Sequence, residues 1–235
     1  MDFYQIEGGI PLRGEYRVKG AKNAALPIMA ACVCCPGIHR LQDCPRIGDV
    51  YAMQEILRAL GSGGRILLRN TRARLLTEVL CVLRRMGAEL RCFEDLIELR
   101  APACLRSPGI VITAPYPGFP TDCQPQLMSL AAAARGLTTV REEIFENRFT
   151  HKKELSKMGA DIEICGKNAI IKGTAGLQGC DVTARDLRGG AALVLAGLMA
   201  EGRTRISGIE HIDRGYEALH KGIRELGGVI ERRTT

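Results

Sequence analysis

The chain has 235 residues, of which 46% are hydrophobic and 25% charged, with a formal net charge of +7 and no Trp. That length allows one large domain or two small ones around a real core, and the composition is that of an ordinary globular protein. No run of five basic residues occurs and no aromatics interleave with the basic positions, which argues against a nucleic-acid partner. A small anionic substrate and a merely basic surface are both open readings of the surplus charge.

The first nine residues carry acidic groups and no apolar run, unlike a signal peptide. The longest apolar stretches, 24–35 and 189–200, have 12 residues each, too short to span a bilayer. A soluble, cytoplasmic protein without membrane contact is expected. Of the ten cysteines, Cys32, Cys34 and Cys35 fall in an apolar helical stretch and the others are scattered singly. Reduced core thiols are therefore expected, rather than disulfides or a metal site.

In chain order, the first motif is Gly20-Ala21-Lys22-Asn23-Ala24-Ala25-Leu26-Pro27, ahead of an apolar helix. A cation, an amide side chain and a helix N-terminus together make a good anion site, although Asn23 could equally be a plain N-cap. A recurring unit starts here. A small-residue helix ends at a Gly, an aliphatic residue four positions later opens a strand, and an amphipathic helix closes at Leu-Gly or Met-Gly. The first copy shows Gly37, Leu41 and Leu60-Gly61; a second shows Gly136, Val140 and Met158-Gly159; a third shows Gly202, Ile206 and Leu226-Gly227. Their Gly-to-Gly spacings are 24, 23 and 25 residues, the mark of one supersecondary unit reused.

An incomplete copy, Gly64, Leu68 and Met86-Gly87, follows the first after only Ser62 and Gly63. It lacks an opening helix, which places a seam at 60–64. Next comes Thr113-Ala114-Pro115-Tyr116-Pro117-Gly118-Phe119-Pro120-Thr121-Asp122, where three prolines stiffen the approach to an Asp at the start of an apolar helix. Asp122 reads as either an N-cap or a general base at a cleft. The loops Ile144-Phe145-Glu146-Asn147-Arg148-Phe149 and His211-Ile212-Asp213-Arg214-Gly215-Tyr216-Glu217 occupy corresponding places in the second and third copies. Each brings an Arg suited to carboxylate or phosphate recognition. The apolar helices 126–134 and 189–200 should be enclosed, the amphipathic ones at 153–158 and 216–226 should pack on the surface, and 161–165 with 169–172 should pair as strands around 166–168.

The wording GAKNAALPIMAA, FPTDCQPQ, FENRF, DLR and HIDRGYE resembles the UDP-N-acetylglucosamine enolpyruvyl transferase family, over blocks of about 1–61 and 64–232. The resemblance implies an inside-out α/β barrel of βαβαββ-like repeats, with one pseudo-three-fold domain kept and most of the second missing. It divides the chain into a strand at 1–21 pairing into the C-terminal domain, a remnant of the lid domain at 22–63, and the C-terminal domain at 64–235. The helix at 23–35 is expected to fill the vacant inner-helix place of the C-terminal domain.

The implied reaction transfers the enolpyruvyl group of phosphoenolpyruvate to the 3-hydroxyl of UDP-N-acetylglucosamine, a step of peptidoglycan synthesis, with no cofactor and no metal. By the same resemblance Lys22 and Arg214 contact phosphoenolpyruvate, Asn23 positions the sugar, and Asp122 takes the hydroxyl proton. Ile144, Arg148, Asp186 and Arg188 line or support the sugar-nucleotide cleft. The reactive Cys of the family's mobile lid has no counterpart in this sequence. Losing half a cleft that aligns two substrates removes much of an effect worth roughly 7–11 kcal/mol, so turnover is expected to be very weak or absent. A non-catalytic binding module for UDP-sugar or phosphoenolpyruvate is the alternative, as is a deletion product without a selected function. Self-association through surface uncovered by the missing domain is a further expectation.

Overall fold

The computed structural model describes residues 2–10, 14–17, 38–42, 65–69, 73–94, 96–100, 102, 104–216, 219–225 and 227–234. The strands begin with β1 (Asp2–Glu7), β2 (Gly14–Arg17), β3 (Ile38–Gln42), β4 (Arg65–Arg69), β5 (Glu89–Cys92) and β6 (Leu96–Arg100). They continue with β7 (Ile110–Ile112), β8 (Leu137–Arg141), β9 (Asp161–Cys165), β10 (Asn168–Lys172), β11 (Asp181–Thr183), β12 (Arg203–Ser207) and β13 (Val229–Thr234). The described helices are α1 (Thr77–Arg85), α2 (Gln124–Ala132), α3 (Lys152–Lys157), α4 (Leu187–Met199), α5 (Glu210–Asp213) and α6 (Leu219–Glu225).

The middle unit shows the plan most fully. β7 leads through α2 to its parallel neighbour β8, and α3 then leads to the antiparallel pair β9 and β10. The sheet order is β7-β8-β10-β9. β9 and β10 turn on Gly166, whose φ of +58° suits a residue without Cβ. The last sheet, β11-β12-β1-β13, repeats this order, with β1 in the place that β10 fills in the middle unit. β1 pairs antiparallel with both β12 and β13, so the start of the chain completes a sheet built near its end. In the remaining sheet, β2-β3-β4-β6-β5, the run β3-β4-β6-β5 follows the same order and β2 is added at its edge. β2, β3 and β4 run parallel.

The inner helices look as their composition demands. Every residue of α2 is buried, as is Gly189–Leu198 of α4. Small side chains let the two approach closely enough for Ser129 Oγ to donate to the carbonyl of Ala192 at 2.9 Å. By contrast, α1 buries only Val79, Leu80, Val82 and Leu83, and its first-turn Glu78 and last-turn Arg84 and Arg85 suit the helix dipole. Gly87, Gly159 and Gly227 close the surface helices with φ of +101°, +90° and +84°, the left-handed caps expected of them. The enclosed-helix, outer-sheet arrangement of an inside-out α/β barrel is thus present.

Two expectations are corrected. The aliphatic residue of each repeat does not open its strand: β8 and β12 begin directly after Gly136 and Gly202. Val140 and Ile206 are fourth in their strands because strict alternation buries them together with Thr138 and Thr204. The cysteines are not core thiols as a group. Among those described only Cys123 is buried, while Cys92, Cys104 and Cys165 are exposed and Cys81 and Cys180 half-buried. Cys92 and Cys165 end outer strands, where a side chain faces water. The helix expected at 23–35, with its proposed packing, and the seam at 60–64 lie outside the described residues. No described helix is long and apolar enough to cross a membrane.

Candidate active site

Parallel strands β7 and β11 each deliver the chain to the N-terminus of an inner helix, and the site is assembled from the loops there. After β7, the amide of Ala114 donates to the carbonyl of Phe119 at 2.9 Å, closing residues 114–119 into a rigid loop with a cis Tyr116–Pro117 bond. Phe119 is buried and anchors it. The chain then enters a single 3-10 turn, Thr121–Cys123, before α2.

Asp122 lies in that turn and does not cap the helix: no side-chain cap bond is made at either boundary. Its Oδ1 instead accepts from Arg148 Nη2 at 2.9 Å and pairs with Arg188 Nε. Of the two readings of this carboxylate, the cap is excluded. Arg148 arrives from the loop after β8, where Asn147 has a φ of +54°, a conformation that Asn tolerates better than most residues. Its guanidinium lies 4.8 Å over the ring of Phe145. Arg188 arrives from the first turn of α4. Burial works against its charge, but the bond and the field of Asp122 outweigh this and raise its pKa.

Asp186 is the true N-cap of α4. Its Oδ1 accepts from the amides of Arg188 at 3.0 Å and Gly189 at 2.8 Å, and Oδ2 accepts from Thr150 Oγ1 at 3.0 Å. Burial alone would raise its pKa; the Gly189 amide, the Thr150 hydroxyl and the other donors more than offset that and lower it. The cap fixes the turn from which Arg188 projects. Ile144 lines two adjoining cavities. One, of about 350 Å³, is walled by Leu76, Val79, Tyr116, Pro117 and Asp122. The other, of about 760 Å³, carries Arg148, Lys152, Lys153 and Lys167. Both volumes suit a small-molecule ligand.

Of the residues singled out in the sequence, Asp122, Ile144, Arg148, Asp186 and Arg188 therefore come together. Arg214 is exposed and lies against His211 Nδ1 at 3.0 Å, rather than on the carboxylate. It follows α5, which packs against α4, and its neighbour Gly215 lies close to Leu187, the first residue of α4. Lys22 and Asn23 lie outside the described residues. Among the described residues no group of His, Cys, Asp and Glu could hold a metal ion.

One central residue was not singled out. Glu142 is 1% exposed and accepts four hydrogen bonds, from Thr113, Thr121, Ile144 and Phe145. Burying an unpartnered carboxylate would be prohibitive, so these donors are what allow it there. The signal was present: extending the alternation that buries Thr138 and Val140 puts residue 142 on the inner face.

The sequence matches the family described as EPSP synthase (3-phosphoshikimate 1-carboxyvinyltransferase) over residues 6–63 and 62–223. It is 48% identical over 224 residues to a UDP-N-acetylglucosamine 1-carboxyvinyltransferase of Aeromonas hydrophila, covering 92% of this chain and 51% of that one. A relative of the same name from Desulfofundulus thermocisternus is 41% identical over 220 residues, covering 92% of this chain and 87% of the relative. Among solved structures, the enolpyruvyl transferase NikO from Streptomyces tendae superposes with a TM-score of 0.69 at 28% identity, covering 86% of this chain and 47% of that one. The chain spans about half the length of most of the curated relatives it matches, 50% for one from Zymomonas mobilis. With its repeat order, enclosed helices and sequence all in agreement, the chain belongs to the EPSP synthase family, among the relatives named UDP-N-acetylglucosamine 1-carboxyvinyltransferase.

Proposed function

We propose that this chain binds UDP-N-acetylglucosamine and phosphoenolpyruvate at the rim around Asp122 and transfers the enolpyruvyl group between them, slowly. The observation that carries this is the placement of Asp122: a partly exposed carboxylate at a cavity wall, held by two arginines and unused as a cap.

In this reading Asp122 accepts the proton of the sugar 3-hydroxyl as that oxygen bonds to C2 of phosphoenolpyruvate, while C3 takes up a proton from solvent water. Loss of a proton from C3 then expels phosphate and restores the enol double bond. Two guanidinium groups beside Asp122 fix the direction of its carboxylate. In the same reading Arg148 and Arg188 also meet the diphosphate bridge of the sugar nucleotide. Lys22 and Arg214 would hold phosphoenolpyruvate, Asn23 and Ile144 the sugar nucleotide. Residues 1–21 and 64–235 are read as the C-terminal domain and 22–63 as the remnant of the lid domain.

The absence of a counterpart to the lid Cys favours a second reading, in which the chain binds the sugar nucleotide without turning it over. Binding separates both readings from none: calorimetric titration with UDP-N-acetylglucosamine should give saturable binding that weakens in Arg148→Met and Arg188→Met. A flat titration with folded protein would refute both. Self-association through uncovered apolar surface is read by sedimentation velocity as a concentration-dependent rise in mass.

A further inference from the structure

Glu142 stands where the two loops of the site meet. Its Oε1 accepts from Thr113 Oγ1 at 2.8 Å and from the amides of Ile144 at 2.9 Å and Phe145 at 3.1 Å. Its Oε2 accepts from Thr121 Oγ1 at 2.9 Å. Thr113 and Thr121 bracket the proline loop that delivers Asp122, and Ile144 and Phe145 open the loop that delivers Arg148. One buried carboxylate thus ties the two loops together. Thr113 Oγ1 strengthens the joint by accepting from the amide of Glu143 at 2.9 Å.

The chemistry of the joint sets what it can do. Glu142 is 1% exposed and its four hydrogen bonds all go to the two loops, so it serves as a joint between them and does not meet substrate. Its contacts fall on the residue next to Asp122 and on Phe145, the ring beneath the Arg148 guanidinium. Movement of either loop relative to the other would therefore change the Arg148–Asp122 geometry directly.

We propose that Glu142 is a positioning residue that sets the separation and orientation of Asp122 and Arg148, and thereby the affinity of the site for a sugar diphosphate. The ligand rests on the function proposed above; the joint itself does not.

The test compares Glu142→Gln with Glu142→Ala in the full chain. The amide of Gln keeps Oε1 for its three donors, and its Nε2 can donate to the Thr121 hydroxyl, which turns to accept. Glu142→Gln should therefore stay near the parent in affinity for UDP-N-acetylglucosamine, whereas Glu142→Ala should lose roughly tenfold or more. In nuclear magnetic resonance without ligand, Glu142→Ala should also speed amide exchange at Ile144 and Phe145 and shift the Arg148 side-chain NH signal. Should Glu142→Ala fail to fold, Thr121→Val cuts only the Oε2 link and should weaken binding while leaving Tm nearly unchanged. An Arg148 signal unmoved in Glu142→Ala, or in Thr121→Val where the former does not fold, overturns the proposal, as does a Gln variant as impaired as the Ala one. If the parent binds no UDP-sugar, the functional reading fails, and the exchange and Arg148 signals still decide the joint.

Discussion

The hydroxyl of Tyr4, in the first strand, donates to Asp213 Oδ1 at 2.6 Å across 209 residues of sequence. Asp213 Oδ2 also pairs with Arg232 Nη1 at 3.0 Å, and Arg232 pairs with Asp2 at 2.8 Å. Two strands of one sheet, β1 and β13, thus converge on the residue just before Arg214. Burial and the neighbouring carboxylate both push the Tyr4 phenol pKa upward, so it remains a donor throughout the physiological range.

Tyr4→Phe removes that bond and nothing else of size. Asp213 keeps Arg232, so the cost should be about 1–2 kcal/mol, read by urea denaturation. The loop that bears Arg214 loses one of its two anchors, and its amides should exchange faster than those of α4. A variant as stable as the parent would show that Arg232 alone holds Asp213.

Asp186→Ala deletes the cap of α4 and the support beneath Arg188. Loss of a cap typically costs about 1 kcal/mol, and up to about 2 in proteins. For a chain of this size that lowers Tm by about 2–4 °C per kcal/mol, measurable by scanning calorimetry. Asp186→Asn keeps an acceptor for both amides and should recover most of the loss. Equal loss in both variants would instead point to the charge of Asp186 as the stabilising feature.

His151, next to the cap, supplies a pH dependence. It is buried, and neither ring nitrogen finds a hydrogen-bond partner among the described residues. Burial pulls its pKa from 6.5 to about 4; Asp186 opposes this and Arg148 adds to it. The unfolded chain therefore takes up this proton first as the pH falls. The stabilisation is complete above pH 6.5, declines on acidification and is gone near pH 4. The two limits correspond to about 3 kcal/mol. Denaturation at a series of pH values should show this slope in the parent and a flatter one in His151→Leu; parallel profiles would assign the slope to other groups.

Much of the fold was legible because its signals are local. The closing glycines of the surface helices, the alternation in β9 and β10 and the all-round small-residue pattern of α2 and α4 each follow from backbone or burial rules within one element. Sheet completion by β1 was not a local signal, since nothing within Asp2–Glu7 specifies β12 and β13 as its neighbours. At the site, Arg148 was reached through its place in the repeat and Arg188 through motif wording, while chemistry alone left Asp122 open between cap and base. That choice depends on the partners the carboxylate meets, two arginines from distant parts of the chain, which is a tertiary matter. Glu142 was overlooked because a lone Glu after a strand resembles a solvated charge until its inward parity is read. The cysteines misled in the opposite sense: residue type suggested burial, but strand position exposes Cys92 and Cys165.

The most direct test of the central claim is release of phosphate from phosphoenolpyruvate in the presence of UDP-N-acetylglucosamine, by the parent chain and by Asp122→Ala. Slow release that needs both substrates and vanishes in Asp122→Ala is the predicted result. Release that persists undiminished in Asp122→Ala would contradict the role given to this carboxylate, and release from neither protein would contradict turnover by this chain.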